Sequence, residues 1–308
     1  MLFRHLTVAV AISTAVAQRP SNISICDYYT TALLKNNTAA NQKTLLTLVV
    51  NTAVIGNYTQ PNVGISVAGI LAPGMYNGTS VDLTPYFDGG FDSSNAGGSS
   101  GVSMNFLDGG GAAPLMKNMP SNDTTSNQYI LITHLYEFFG VLLGCSMQGG
   151  ADYSAYMGES SMYEVHKFMD LSAAEVGYFI TQVANSAASF GVAKDDLTIV
   201  GNALNSLFGM RCSAATTVVP AQGPQLQAIC IDPTCPLAAN ATCSAYGNAV
   251  EPSVAVSSLV PNMTATGVSS SGTSSVTGTS SPVPTTGGAG VYGLSMAAVA
   301  AGFAALLL

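Results

Sequence analysis

The chain has 308 residues, of which only 8% are charged, and its 8 Lys and Arg against 16 Asp and Glu leave a net charge of −8. The few basic residues are scattered, which excludes a surface built on phosphate contacts and therefore nucleic acid as a partner. The six cysteines, Cys26, Cys145, Cys212, Cys230, Cys235 and Cys243, are even in number and suggest three disulfides formed in an oxidising compartment, with the pairing open.

The first residues place Arg4 before an apolar run from Leu6 to Val16 and end it in the small-residue pattern Ala15-Val16-Ala17. That order predicts a secretory signal peptide over 1–17; a spanning helix needs about 20 apolar residues. The region 18–215 carries most of the apolar periodicity and is long enough for one domain core. Leu45, Leu46, Val49, Val50 and Val54 form a first stripe of helical period. Residues 59–128 are Gly-rich and irregular, with pairs and triplets such as Gly89-Gly90 and Gly109-Gly110-Gly111. They read as long loop insertions between helices. Gly97-Gly98-Ser99-Ser100-Gly101 fits the hydrolase pattern G-x-S-x-G literally but lacks the strand before and the helix after it.

From Tyr129 to Gly144 the apolar positions are Leu131, Leu135, Phe138, Phe139 and Leu142, a second helix. Ser161 to Glu164 and Ser172 to Glu175 are capping-box patterns, each opening a helix. The first of these helices shows Met162, His166 and Met169 on one face, and the second shows Val176, Phe179, Ile180, Val183 and Ala187. Asp195 and Asp196 favour a further helix start by their charge, with the stripe Leu197, Val200, Leu204, Leu207 and Phe208. Strand signals are few.

Residues 216–250 form a Cys- and Pro-containing extension. Three cysteines precede it and three lie within it, so full pairing requires at least one bridge between the two groups, clamping the extension to the domain. Residues 251–286 have the Ser, Thr, Gly and Pro composition of an O-glycosylated stalk. The apolar tail Val291–Leu308 follows the small residues Gly278, Ser280 and Ser281 and a polar spacer. This predicts a glycosylphosphatidylinositol signal over 287–308 and attachment to a membrane or wall through lipid alone. Seven N-glycosylation sequons, at Asn22, Asn36, Asn57, Asn77, Asn122, Asn240 and Asn262, fit a glycosylated, cell-surface protein.

After removal of residues 1–17 and with them His5, the chain keeps two histidines, His134 and His166, each in a helical segment. Imidazole is the usual protein ligand of haem iron. Tyr156-Met157-Gly158, then Met162 and Val165-His166, then the helix with Phe179, then Phe190-Gly191, resembles the second half of truncated (two-over-two) haemoglobins. The segments Leu131–Gly144 and Leu83–Gly89 resemble that family's distal helix and its Phe-Phe segment. The resemblance implies a mainly α, globin-like two-over-two fold with non-covalent haem b. It implies His166 as proximal ligand, and His134 either as a second axial ligand or as an exposed polar residue touching a haem propionate or a glycan. Phe87, Leu131, Leu135, Phe138 and Met162 would lie around the macrocycle, with Lys167 beside a propionate. It implies a diatomic ligand such as O2 or NO, or electron or peroxide handling. Covalent c-type attachment is excluded, because no C-x-x-C-H is present. The chain departs from the pattern by insertions of roughly 25 and 35 residues around Phe87, where loops are normally short. It departs again by carrying Val54 and Leu135 at the positions of the distal tyrosine and glutamine. A surface glycoprotein or adhesin that kept the fold and lost the cofactor is the alternative expectation.

Overall fold

Serine and threonine open the principal helices. Ser24, Thr38, Ser126, Ser161 and Ser172 each adopt extended backbone, and each side chain accepts a hydrogen bond from the N–H three residues on, satisfying a donor that has no partner inside the helix. Ser172 and Glu175 complete the reciprocal capping box. The structure is a computed structural model that describes residues 18–59 and 62–256. The expected signal peptide, the tail and all but the first residues of the expected stalk lie outside the described residues.

In chain order the elements are α1 (Ile25–Leu34), α2 (Ala39–Ile55), β1 (Gly74–Tyr76), β2 (Thr79–Val81), α3 (Thr84–Asp88), α4 (Ala112–Leu115), α5 (Asn127–Leu142), α6 (Met162–His166), α7 (Ala173–Ser189) and α8 (Lys194–Phe208). The described residues are thus mainly helical, with one antiparallel hairpin. Asn77 and Gly78 both take positive φ at its turn, the requirement that makes Asn-Gly a hairpin signal. The hairpin packs on α7.

Helix α2 is the hub: α1, α5, α7 and the short α4 all pack against it, and α7 packs on α8. Its end is fixed by a close backbone approach. Gly56 has φ of 84°, and a Cβ there would lie 2.7 Å from the carbonyl oxygens of Val67 and Ala68. The segment after it turns back, and Ile70 and Leu71 donate to the Ala53 and Val54 carbonyls.

Three disulfides form: Cys26–Cys145, Cys212–Cys243 and Cys230–Cys235. They place the chain in an oxidising, extracellular-type environment. The second is the expected bridge between domain and extension. No helix of the described residues is long and apolar enough to cross a membrane. The expected stalk starts later than its composition suggests, because Asp92 N donates to Ser253 O and Ala255 N to Gly90 O. Residues 253–255 are therefore stitched to the loop after α3.

The buried faces differ from the apolar stripes. In α5 the buried residues are Gln128, Ile132, Tyr136, Phe138, Phe139 and Gly140, whereas Leu131, Leu135 and Leu142 are half-buried. In α7 Val176 and Val183 of the expected stripe are buried, but so are Tyr178, Gln182 and Ser186, while Phe179 and Ile180 are half-buried. The physical reason is that the polar side chains have partners. The Tyr136 hydroxyl donates to Asn51 Oδ1 (2.6 Å), Gln128 Nε2 donates to the carbonyls of Gly111 and Pro120, and Gln182 Oε1 accepts from Gly69 N. Burial without such bonds costs free energy, and with them it does not.

Cys26–Cys145 closes a sequence separation of 119 residues. Replacing both cysteines by alanine should lower the unfolding free energy by about 2–5 kcal/mol, read from denaturant midpoints; an unchanged midpoint would show that α1 is held without the bridge. Ser172→Ala should cost about 1 kcal/mol through the lost cap, measured in the same way.

Candidate functional site

Helix α6 is held between two irregular segments. On one side, Ser161 Oγ donates to Leu226 O (2.8 Å), Tyr163 N donates to the same carbonyl, and Gly247 N donates to the Tyr163 hydroxyl (2.6 Å). The Tyr163 ring meets Tyr246 edge-on, with centroids 4.7 Å apart. On the other side, Asn95 Nδ2 donates to Glu164 O (3.1 Å). The extension and the Gly-rich insertion thus position this helix together.

His166 closes α6. Its Nδ1 donates to the carbonyl of Met162 one turn back, at 2.7 Å. The ring is half-buried, and burial pushes its imidazole below the ordinary range, although the bond to Met162 opposes the shift. The neutral ring then presents Nε2 as a lone-pair donor. Met162 is buried in the main apolar cluster, with Phe87 and Leu135 packed at its edge.

His134 lies half-buried on α5, its ring edge-on to Tyr156 at 5.5 Å. Tyr156 also meets Phe138 at 5.3 Å, and its hydroxyl donates to Glu159 O. Burial lowers the His134 imidazole as well. Tyr156 therefore joins His134 to Phe138. Among the described residues no recorded bond or ring contact joins His134 to His166. Leu131, one turn before His134 on α5, is half-buried. Lys167 is engaged with Glu164 (2.8 Å), and its ammonium lies 5.2 Å from the Phe168 ring centre. Tyr86 of the Tyr86-Phe87 pair is the more buried residue, and its hydroxyl donates to Glu175.

Two described cavities lie elsewhere. An apolar one of about 60 Å³ sits among α1, α2, α5, α7 and α8, with Val54, Leu135 and Phe139 in its wall. A more polar one of about 350 Å³ lies against Arg211 and the Cys212–Cys243 bridge. Neither is lined by His134 or His166. Among the described residues no cluster of three or more His, Cys, Asp or Glu could hold a metal ion. Reading the sequence missed Tyr163, Leu226 and Asn95 as supports of α6, because contacts of this separation leave no periodic trace; Tyr156 appeared only as a motif letter.

No protein-family model matches the chain, and no curated protein or solved structure is significantly similar to it.

Both imidazoles titrate below the unfolded value of about 6.5, so the unfolded chain takes up protons first as pH falls. Their contribution to stability is complete above about pH 6.5 and is lost progressively below it. The difference in melting temperature between about pH 7.5 and about pH 5.5 should therefore shrink in the double variant His134→Asn, His166→Asn. Glu137 and Asp170, whose carboxyls burial raises, act in the opposite direction but are common to both proteins. An equal pH difference in parent and variant would show that neither ring is buried as described.

Proposed function

We propose that the chain is a secreted, glycosylated protein held at the cell surface by lipid, whose helical domain is globin-like and binds haem b non-covalently through His166. The carrying observation is the 2.7 Å bond from His166 Nδ1 to Met162 O. A ligating histidine nearly always gives its other ring N–H to a carbonyl or carboxylate, which fixes the tautomer and the ring plane. Here that bond leaves Nε2 of a neutral imidazole for iron. The packing of α2 on α5, of α7 on α8 and of α2 on α7 supports a two-over-two reading of the helices. The six described sequon asparagines are all exposed, as glycan attachment requires.

The fit to haem is uneven around the site. His166, Met162 and Phe87 suit it. His134 would first have to leave Tyr156, so His166 alone is proposed as the resident ligand. Lys167 reaches a propionate only by giving up Glu164. Bound haem would supply an iron able to take O2 or NO or to pass electrons. Val54 and Leu135, at the family's polar distal positions, instead face an apolar cavity. These side chains offer no hydrogen bond to a bound oxygen, which favours NO or electron handling over oxygen storage.

One observation favours a second reading, a haem-free surface scaffold. The described cavities are not at His166, and the apolar one, at about 60 Å³, is far smaller than a macrocycle. Titrating the processed protein with haemin separates the two. Haem binding gives a saturable one-to-one Soret band that His166→Ala abolishes and His134→Ala leaves in place. At a hundred times its Kd, haemin should also raise folding stability by about 2.7 kcal/mol. No saturable band and no change in melting temperature would leave the scaffold.

A further inference from the structure

Arg211 is a fixed cationic position that forms no ion pair among the described residues. It follows α8 and is fixed from both sides by backbone bonds: its N–H donates to Pro236 O (2.8 Å), and its carbonyl accepts from Ala238 N (3.0 Å). The next residue, Cys212, stands at a positive φ of 63° and is bridged to Cys243. Tyr246 is anchored by its hydroxyl to Ser213 O (2.6 Å). These constraints frame the cavity of about 350 Å³ lined by Arg211, the Cys212–Cys243 bridge, Ile231, Pro233 and Tyr246. The Arg211 Nε is buried and has no hydrogen-bond partner among the described residues.

In a chain with 16 acidic and 8 basic residues, an arginine without a carboxylate needs a reason. Arg19 pairs with Asp196 and Lys167 with Glu164. The acidic residue flanked by two cavity residues, Asp232, accepts from Thr234 N at its Oδ1 (2.7 Å) and forms no ion pair with Arg211. A buried N–H left unbonded is costly, and ligand pockets set a few polar or charged groups among apolar walls to fix a ligand's orientation.

We infer that this cavity binds a small monocarboxylate with an uncharged, partly apolar body, its carboxylate on the Arg211 guanidinium. The planar fork matches a carboxylate edge through two parallel N–H···O bonds. The charge of the chain selects against multiply charged anions, because one guanidinium balances one negative charge and the net −8 repels the rest. Ile231, Pro233 and the disulfide supply apolar wall for the body of the ligand. The proposal does not rest on haem binding, and no atom of His166 lines this cavity.

Benzoate is the probe, with benzamide as its uncharged isostere and inorganic phosphate as the competing anion, each titrated into the full processed chain by calorimetry. Benzoate should bind saturably, benzamide and phosphate should not, and Arg211→Met should weaken benzoate by about tenfold or more. Without probe, Arg211→Met should melt no lower than the parent, since it removes a buried N–H that has no hydrogen-bond partner. Arg211→Lys, which keeps the charge and loses the fork, should fall between parent and Met variant. Binding of benzamide equal to benzoate, binding of phosphate without benzoate, or no saturable binding of benzoate would each overturn the proposal. So would a fall in melting temperature of the Met variant with benzoate affinity unchanged. Should the Met variant not fold, benzoate against benzamide on the parent, with the Lys variant, decides alone.

Discussion

The structure depends on burying α2 on nearly all sides. Its buried residues include Leu45, Leu46, Val50, Ala53 and Val54, but also Gln42, Thr47, Asn51 and Thr52. A helix packed all round cannot send its polar side chains to water, so its neighbours answer them, with the buried Thr52 hydroxyl left without a partner among the described residues. Gln42 shows how. Its amide donates to Asp27 Oδ1 and Asn37 Oδ1, both at 2.7 Å, and its carbonyl accepts from Met147 N. One side chain thereby ties α1, the turn before α2 and the loop after α5, beside the Cys26–Cys145 bridge. Asn51 does the same further along, accepting from Tyr136 of α5 and donating to Leu115 O of α4. Apolar contact supplies most of the favourable free energy, and these bonds select a single arrangement of the neighbours around α2.

The same logic explains why the Gly-rich insertions are ordered. Asp108 lies within one of them and accepts from Asn127 N, Asn127 Nδ2 and Gln128 N at the start of α5. A carboxylate on the exposed N–H groups of a helix start is favourable through hydrogen bonding and the helix dipole together. Gln128 then binds the backbone of Gly111 and Pro120. The insertion is thus fastened to the opening turn of α5, and its far end supplies Asn95 to α6. Loops that were expected as additions to a compact domain serve here as supports of the helix that carries His166.

The parts of the fold visible in the sequence are those governed by local rules. The serine caps at Ser161 and Ser172, the acidic start of α8 and the helical period around Val50 follow from backbone donors and side-chain spacing within a few residues. The hairpin at Asn77-Gly78 followed such a rule and was hidden by an otherwise loop-like composition. Hydropathy found Phe138 and Phe139 of α5 and Val176 and Val183 of α7 inside, but not the full width of the inward face. Tyr136, Gln128 and Gln182 count as polar, yet each has a partner far along the chain, and the pairing decides the rotation of its helix. The same limit governs the candidate site. His166 and Met162 were legible as residues of one face, and the bond between them is local. Tyr156 on His134, and Leu226 beneath α6, depend on distant segments and left no signature.

That dependence bears on how the domain and its extension should be understood. A linker contributes little to the core it follows, whereas residues 216–256 supply Leu226 O and Gly247 N to α6, Tyr246 to Tyr163 and Ser253 to Asp92. Buried Ala228, Ile229 and Cys230 add apolar area, and the Ile229 and Cys230 N–H groups cap the end of α8 at Phe208 O. Cys212–Cys243 then limits how far this segment can stray when α6 loosens. His166 and Tyr163 share the five-residue α6, and Tyr163 packs on Tyr246. Tyr246 is also a wall of the Arg211 cavity. The two candidate sites are chemically separate, but they share one packed aromatic pair, so a ligand that orders Tyr246 would stiffen α6 without touching it.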